Sequence, residues 1–194
     1  MAEPLKDHAA LLVAGTVATG KGGVRLFERR DLCLIQVIAR PGHERETARI
    51  LGLELPQRPN TMRSVEGVQV FCQRPRDWLI VTADAEGRTG SIAVEARTRL
   101  AGHAAAIDQS HGRIVLRLEG EGARDLLQKG CNLDLDALAF PEGALAQTGI
   151  NGIAVMVHAA GAAGFDLYVA RSFAASLAEW LDHAGAAAVA AEPA

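Results

Sequence analysis

Asp108, Ser110 and His111 lie within one short segment and are the residue types that a hydrolytic triad requires. A triad needs the serine hydroxyl to meet the imidazole across space, with the carboxylate behind the ring. Side chains this close together in a turn seldom point at one another, and the sequence has no G-x-S-x-G segment. We therefore interpret the segment as a turn in which Asp108 and Ser110 bond the backbone, with Arg113 pairing with Asp108.

The segment 15–22 (GTVATGKG) nearly matches a phosphate-binding loop. That motif ends on a serine or threonine whose hydroxyl holds Mg²⁺, and it opens a helix. Gly22 has no hydroxyl, and the residues after it have a strand pattern. The segment is interpreted as part of a flexible glycine-rich arm that covers residues 1–23.

Asp134 and Asp136 are carboxylates at alternate positions and would point the same way in an extended loop, as a cation or acid–base site requires. Leu133, Leu135 and Leu138 favour another interpretation, in which a loop is pinned to the core and the carboxylates cap local turns. The six histidines form no H-x-x-x-H pair, and the three cysteines form no C-x-x-C pair. No G-x-G-x-x-G segment follows a strand. We predict no catalytic, cofactor-binding or metal-binding residue in this chain, and buried, reduced thiols.

Composition limits the function classes. The formal net charge is -3, and basic residues occur only in short groups, which argues against nucleic-acid binding. The first residues are mixed and partly acidic, unlike a secretory signal, and no run approaches the ~20 apolar residues of a membrane span. A cytoplasmic location is expected, without nucleic-acid or membrane partners.

The hydrophobic pattern predicts an α+β protein with antiparallel sheets and packed helices. Strands are predicted at 24–27, 32–39, 68–72, 78–82, 103–107, 113–118, 144–149, 153–158 and 165–169. Helices are predicted at 43–51, 91–100, 120–129 and 172–184, with loops at 52–66 and 133–142. Gly130 is expected in the left-handed position after the third helix, Ser172 as the cap of the last helix and Gly185 at its end.

These elements form two similar halves, 24–102 and 103–185, each with the order strand–strand–helix–strand–strand–helix. They make up one domain, 24–185, followed by a loose tail at 186–194. Trp78 follows a charged turn and is either an interface anchor or part of the core.

Several segments together resemble one family. They are RDWLI at 76–80, DQSHGR at 108–113, LQKGCNLDL at 127–135, FP at 140–141, AQT at 146–148 and FDLYVARSF at 165–173. In this order they resemble the gamma subunit of heterotetrameric sarcosine oxidase, from about residue 25 to residue 183.

The resemblance implies a fold similar to the folate-binding domain of aminomethyltransferases such as the glycine-cleavage T-protein. It implies a non-catalytic subunit that supports a large alpha subunit, together with beta and delta subunits, in the oxidative demethylation of sarcosine to glycine. FAD, FMN, NAD and tetrahydrofolate are expected in the partner subunits. The segment Lys129-Gly130-Cys131 also resembles a folate-binding motif, but Asn132 and Leu133 follow where that motif continues with Gly-Gln-Glu.

Two alternatives remain open. One is the small subunit of a related complex such as N-methylglutamate dehydrogenase. The other is a stand-alone folate-binding or aminomethyltransferase-like protein, which would need a carboxylate facing the pterin. Asp134 and Asp108 are the candidates for that carboxylate.

Overall fold

The computed structural model describes residues 14–17, 23–84 and 89–190, which form two stacked antiparallel sheets with helices on their outer faces. The strands are β1 (Ala14–Val17), β2 (Val24–Glu28), β3 (Leu32–Ala39), β4 (Thr61–Val65), β5 (Val68–Arg74), β6 (Asp77–Ala83), β7 (Ala104–Asp108), β8 (Arg113–Glu119), β9 (Leu145–Ile150), β10 (Ile153–Ala159) and β11 (Gly164–Ala170). The helices are α1 (Glu44–Leu51), α2 (Thr89–Arg99), α3 (Ala123–Gln128) and α4 (Arg171–Ala190).

The two halves exchange strands. The first sheet has the order β4-β5-β6-β3-β7, and the second has the order β1-β2-β8-β11-β10-β9. Strand β7 of the second half pairs with β3 of the first, and β2 of the first half pairs with β8 of the second. Apart from β1, each half therefore has the same order, β-β-α-β-β-β-α, and each completes the sheet of the other. The predicted α+β duplication with antiparallel sheets is confirmed, but each half has three strands after its first helix where the predicted order had two.

Alternation along the strands produces three apolar clusters, because successive side chains point to opposite faces of a sheet. One cluster lies between the first sheet and helices α1 and α2, and it includes Cys33, Trp78 and Leu100. A larger one packs the second sheet against α3 and α4. The third lies between the sheets, where Phe71 and Leu79 of the first sheet share a cluster with Tyr168 of the second. The space between the sheets is therefore an interior face.

In the apolar cluster between the second sheet and helices α3 and α4, the Trp180 ring closely approaches Gly130. A Cβ atom added there would lie 2.4 Å from a ring carbon of Trp180 in α4. Gly130 is not among the glycines with positive φ, so the prediction of a left-handed conformation at this position was wrong. The glycine is required by helix packing instead.

Four further predictions about elements were wrong. Residues 61–65, predicted as loop, form the edge strand β4. Ser172 lies inside α4, which starts at Arg171, and the helix continues past Gly185 to Ala190. Part of the predicted arm, Ala14–Val17, forms β1 against β2, whereas residues 18–22 of the glycine-rich segment lie outside the described residues.

Candidate functional site

A cavity of about 390 Å³ lies between the two sheets, beside the turn at 108–112. Its wall combines amide and guanidinium groups with apolar surface. The lining residues that matter most are Gln73, Gln109, Arg113, Gln147, Met156 and Tyr168. The inward faces of β5, β8, β9, β10 and β11 supply most of them, so residues almost a hundred positions apart in sequence meet here.

Asp77 organises the polar groups behind this wall. Its side chain is 5% exposed, and its Oδ2 lies 2.6 Å from Nη2 of Arg74. Gln36 Nε2 donates to Asp77 Oδ1 at 2.8 Å, and Gln109 Nε2 donates to Gln36 Oε1 at 2.9 Å. The chain of hydrogen bonds therefore runs from the Arg74–Asp77 ion pair to the edge of the cavity and fixes the amides there.

Arg113 is the cation that faces the cavity. Its Nη2 donates to Gln73 Oε1 at 3.0 Å, and no salt bridge among the described residues involves it. The predicted pairing of Arg113 with Asp108 is therefore not made. Burial lowers the pKa of the Arg113 guanidinium, Asp77 opposes that shift and Arg74 reinforces it. An arginine keeps its charge in proteins, so the cavity contains a positive charge whose nearest acid is already paired with Arg74.

Tyr168 supplies a second unused donor. Its side chain is 1% exposed, and its hydroxyl has no hydrogen-bond partner among the described residues. Burial raises the pKa of the Tyr168 phenol, and nearby Asp166 adds to the shift, so the group stays protonated. A buried hydroxyl without a partner loses its hydration without replacement, which costs about 1–3 kcal/mol. An acceptor in the cavity would offset that cost.

A buried ion pair lies deeper between the sheets. Asp166, 1% exposed, accepts from Arg117 Nε at 2.5 Å and from Arg117 Nη2 at 2.9 Å. Arg29 Nη1 approaches the same carboxylate at 3.6 Å. Both members of this ion pair have partners, so the group stabilises the packing of β8 against β11.

The 108–112 turn has the structural role that the sequence predicted. Asp108 Oδ1 accepts from the backbone N–H of Ser110 at 2.9 Å. Ser110 Oγ accepts from the backbone N–H of Leu34 at 2.9 Å, which attaches the turn to β3. No hydrogen bond joins Ser110 to the His111 ring among the described residues. This geometry provides no triad.

The two other candidate carboxylates also bond the backbone. Asp134 Oδ1 accepts from the N–H of Asp136 at 3.0 Å, and Asp136 Oδ1 accepts from the N–H of Leu138 at 2.8 Å. Leu135 is buried as expected, but Leu138 is 94% exposed, so the expectation that it pins the loop was wrong.

Trp78 belongs to the core. It is fully buried, and its indole N–H donates to the Pro56 carbonyl at 2.6 Å, so it is not an interface anchor. The three cysteines are buried and form no disulfide with one another, as predicted. Burial raises the pKa of the Cys72 thiol, which makes that thiol a poor nucleophile.

His43 and His103 approach each other at 2.9 Å between their Nδ1 atoms, but the described residues contain no cluster of three or more metal ligands.

Sequence reasoning missed this cavity, although it quoted several of its residues. Gln109, Arg113, Gln147 and Tyr168 all lie in the segments that carry the family resemblance. The sequence pattern that could have indicated the cavity is a polar residue between apolar neighbours in a strand, such as Tyr168 between Leu167 and Val169. Chemically, the arrangement presents donors to a ligand and lacks a nucleophile paired with a base.

The fold alone places the chain in a structural class. Aminomethyltransferase T of the glycine cleavage system from Bartonella henselae matches with a TM-score of 0.60 at 17% identity, covering 85% of this chain and 46% of that one. The chain therefore has the architecture of the aminomethyltransferase T-protein class and spans about half of that enzyme.

The family follows from a match over most of the chain. The family model described as sarcosine oxidase, gamma subunit, matches residues 37–187, so this chain belongs to that family. A chain of heterotetrameric sarcosine oxidase from Corynebacterium sp. U-96, in complex with pyrrole 2-carboxylate, matches with a TM-score of 0.80 at 25% identity. The match covers 92% of this chain and 91% of that one. The resemblance noted in the sequence is confirmed.

Two searches give negative results. A sequence search among curated proteins finds no match. No helix in residues 14–17, 23–84 and 89–190 combines the length and apolar character that a membrane crossing requires.

Proposed function

We propose that this chain is the non-catalytic gamma subunit of a heterotetrameric sarcosine oxidase, which oxidatively demethylates sarcosine to glycine. The observation that carries the proposal is the similarity to a chain of the Corynebacterium enzyme, a TM-score of 0.80 over 92% of this chain and 91% of that one. Near-complete coverage in both directions means that the two chains share a whole architecture. A subunit of the same size and fold suits the same place in an assembly.

In this proposal the direct contact is the large alpha subunit, and the beta and delta subunits complete the complex. FAD, FMN, NAD and tetrahydrofolate belong to those partners. The chemistry of this chain agrees with a supporting role, because Asp77, Asp108, Asp134 and Asp166 are all engaged in ion pairs or backbone hydrogen bonds. The complex would work in the cytoplasm.

Surface features are compatible with a partner at the β7 edge of the first sheet. Ile38 of β3 and Ile107 of β7 are 36% and 42% exposed. Gln36 lies opposite Ile107 in the register, so Ile38 and Ile107 are diagonal neighbours on one face. Two adjacent exposed isoleucines beside an edge strand form a small apolar contact surface.

The test is co-expression with the alpha, beta and delta chains of a sarcosine oxidase, followed by native mass spectrometry. A 1:1:1:1 assembly that oxidises sarcosine supports the proposal, and omission of this chain should lower the yield or stability of the assembly. A chain that stays monomeric beside all three partners contradicts it. Turnover of sarcosine by the purified chain alone would contradict its non-catalytic role.

Substrate preference of the assembled complex and folate binding by the isolated chain separate the two alternatives. An N-methylglutamate dehydrogenase subunit would assemble equally well but with a complex that oxidises N-methylglutamate in preference to sarcosine. A stand-alone folate protein would bind tetrahydrofolate tightly as the isolated chain. The T-protein likeness covers only 46% of that enzyme, and Asp108 and Asp134 already bond turns, so tight folate binding is not expected.

A further inference from the structure

Two donors at the inter-sheet cavity, Arg113 and Tyr168, are incompletely matched by acceptors, whereas the amides of Gln109 and Gln147 donate to Gln36 and to the Gln73 carbonyl. Arg113 uses one of its N–H groups on Gln73, and no carboxylate in the described part of the chain lies within ion-pair distance. Tyr168 is almost completely buried, and its hydroxyl has no hydrogen-bond partner in residues 14–17, 23–84 and 89–190. Both residues line the same cavity of about 390 Å³.

The register places the two donors side by side. Tyr168 of β11 lies opposite Val115 of β8, and Ala170 lies opposite Arg113. Arg113 and Tyr168 are therefore diagonal neighbours on the same face of the second sheet, within reach of one small ligand. Met156 lies opposite Tyr168 on the other side, in β10, and supplies apolar surface in the same row.

The charges nearby favour an anion. Asp77 is the buried acid closest in the network, and Arg74 already neutralises it at 2.6 Å. Arg113 also borders a second cavity of about 190 Å³, whose wall contains Arg29, Arg30 and Arg171 together with the acids Glu28 and Asp84, so basic side chains outnumber acidic ones there. A partly buried guanidinium is costly unless an opposite charge or strong acceptors accompany it. The described side chains supply one amide oxygen to Arg113.

From this geometry we propose that the inter-sheet cavity binds a small carboxylate with an apolar body. The carboxylate accepts hydrogen bonds from the Arg113 guanidinium and the Tyr168 hydroxyl, and the apolar body packs against Met156. A planar carboxylate suits the fork of donors that a guanidinium presents. The cavity volume falls within the range of small-molecule sites, ~300–1,000 Å³.

The test uses the full-length chain with benzoate as the probe and benzamide as its neutral isostere. Isothermal titration or ligand-observed NMR should show saturable benzoate binding with a dissociation constant on the order of 1 mM, as expected for a fragment-sized ligand. Benzamide should bind at least about tenfold more weakly, because it lacks the charge that Arg113 pairs with. Equal binding of both compounds, or no binding of benzoate, overturns the proposal.

Variants locate the site. Arg113→Gln should weaken benzoate binding by about tenfold or more, and Tyr168→Phe by about fivefold, according to the strength of charged and neutral hydrogen bonds. Arg97→Gln makes the same change of charge at an exposed position of α2 and should leave binding unchanged. If Arg113→Gln does not fold, Tyr168→Phe and the benzamide comparison still decide the question. Undiminished benzoate binding in a folded Arg113→Gln or in Tyr168→Phe rejects the site.

Discussion

Asp166 is a buried acid whose ion pair should make the protein sensitive to its substitution. Its carboxylate is 1% exposed and is held by two hydrogen bonds from Arg117, with Arg29 at 3.6 Å. Asp166→Asn would remove the closest counter-charge of Arg117, while Arg29 would keep its ion pair with Asp31. Removing one partner of a buried ion pair costs about 3–5 kcal/mol. We expect a corresponding loss in the free energy of unfolding, measured by urea denaturation followed by circular dichroism.

The Glu46–Arg49 pair of α1 is the matched control, because it also joins two oxygens to two guanidinium nitrogens, at 2.9 and 2.5 Å. Both side chains are solvent-exposed, so water and salt screen the attraction. Glu46→Gln should therefore leave the denaturation midpoint almost unchanged. Equal effects of the two substitutions would show that burial does not set the strength of the Asp166 pair.

His158 should make the free energy of unfolding fall at acidic pH. Burial lowers the pKa of this histidine, Arg117 contributes to the lowering and Asp166 opposes it. Its Nδ1 has no partner among the described residues, and the ring packs at 5.0 Å from that of Phe71. In the unfolded chain the histidine takes up a proton below its ordinary pKa of about 6.5, whereas in the folded chain it takes up the proton only at lower pH. The stabilisation is therefore present above pH ~6.5 and is lost as the pH falls.

His158→Phe should reduce this dependence between pH 7 and 5. The slope of unfolding free energy against pH should fall by up to ~1.4 kcal/mol per pH unit, the value for one proton. Asp31, whose pKa the hydrogen bond from Arg29 lowers, loses its contribution at more acidic pH and does not interfere. Parallel slopes for wild type and variant would assign the acid response to other groups.

For single residues, the sequence predicted a role correctly only where the interaction partners are close in sequence. The Asp108 and Asp134 turns involve partners two residues away, so their residue types were sufficient. The cavity depends on Gln73 in β5, Arg113 in β8 and Tyr168 in β11. Only the sheet register brings them together, and a single sequence contains no direct information about long-range register.

Among the elements, α3 and α4 make a contact that depends on one glycine. A Cβ at Gly130 would lie within 2.5 Å of two ring carbons of Trp180. Gly130→Ala must displace the indole or the helix, and overpacking of this kind typically costs about 1–3 kcal/mol. We expect a lower melting temperature together with changed tryptophan fluorescence.

Gly90→Ala is the control for that substitution. Gly90 lies in α2, where an added Cβ would meet no atom of the described residues within 4 Å. Alanine favours the helix over glycine by up to ~1 kcal/mol, so this variant should be as stable as the parent or more stable. A Gly130→Ala protein with an unchanged melting temperature would mean that the helices separate at no cost.

The errors in the predicted elements have two physical causes. Strand β4 lies at the edge of its sheet, and Arg63, Ser64 and Val65 are exposed, so the alternation that marks a strand is absent. Gly185 did not end α4 because the alanines after it have the highest helix propensity, which offsets the cost of one glycine, about 1 kcal/mol. Buried strands such as β3, whose bounds matched the prediction, have neither problem.

For the whole molecule, the exchange of β2 and β7 decides how the halves depend on each other. Within residues 1–102, β3 would lose β7, which pairs with it from Ile35 to Ala39, and β2 would lose β8. The turn after β7 also donates from the Gln109 N–H to the Leu34 carbonyl at 2.8 Å. The apolar cluster between the sheets would be left half uncovered. Each half therefore lacks one strand and one face of its core.

We expect fragments 1–102 and 103–194 to show no cooperative unfolding when studied separately, because an exposed sheet face and an unpaired strand remove much of the burial that stabilises a domain of this size. When mixed, they should form a 1:1 complex in which each fragment supplies the missing strand of the other, with a single melting transition recovered in circular dichroism. The break at residues 102–103 falls in the turn between α2 and β7, so no strand is cut. Cooperative melting of fragment 1–102 alone would contradict this prediction. It would show that the first sheet is stable without β7, so the exchanged strands are not required for each half to fold.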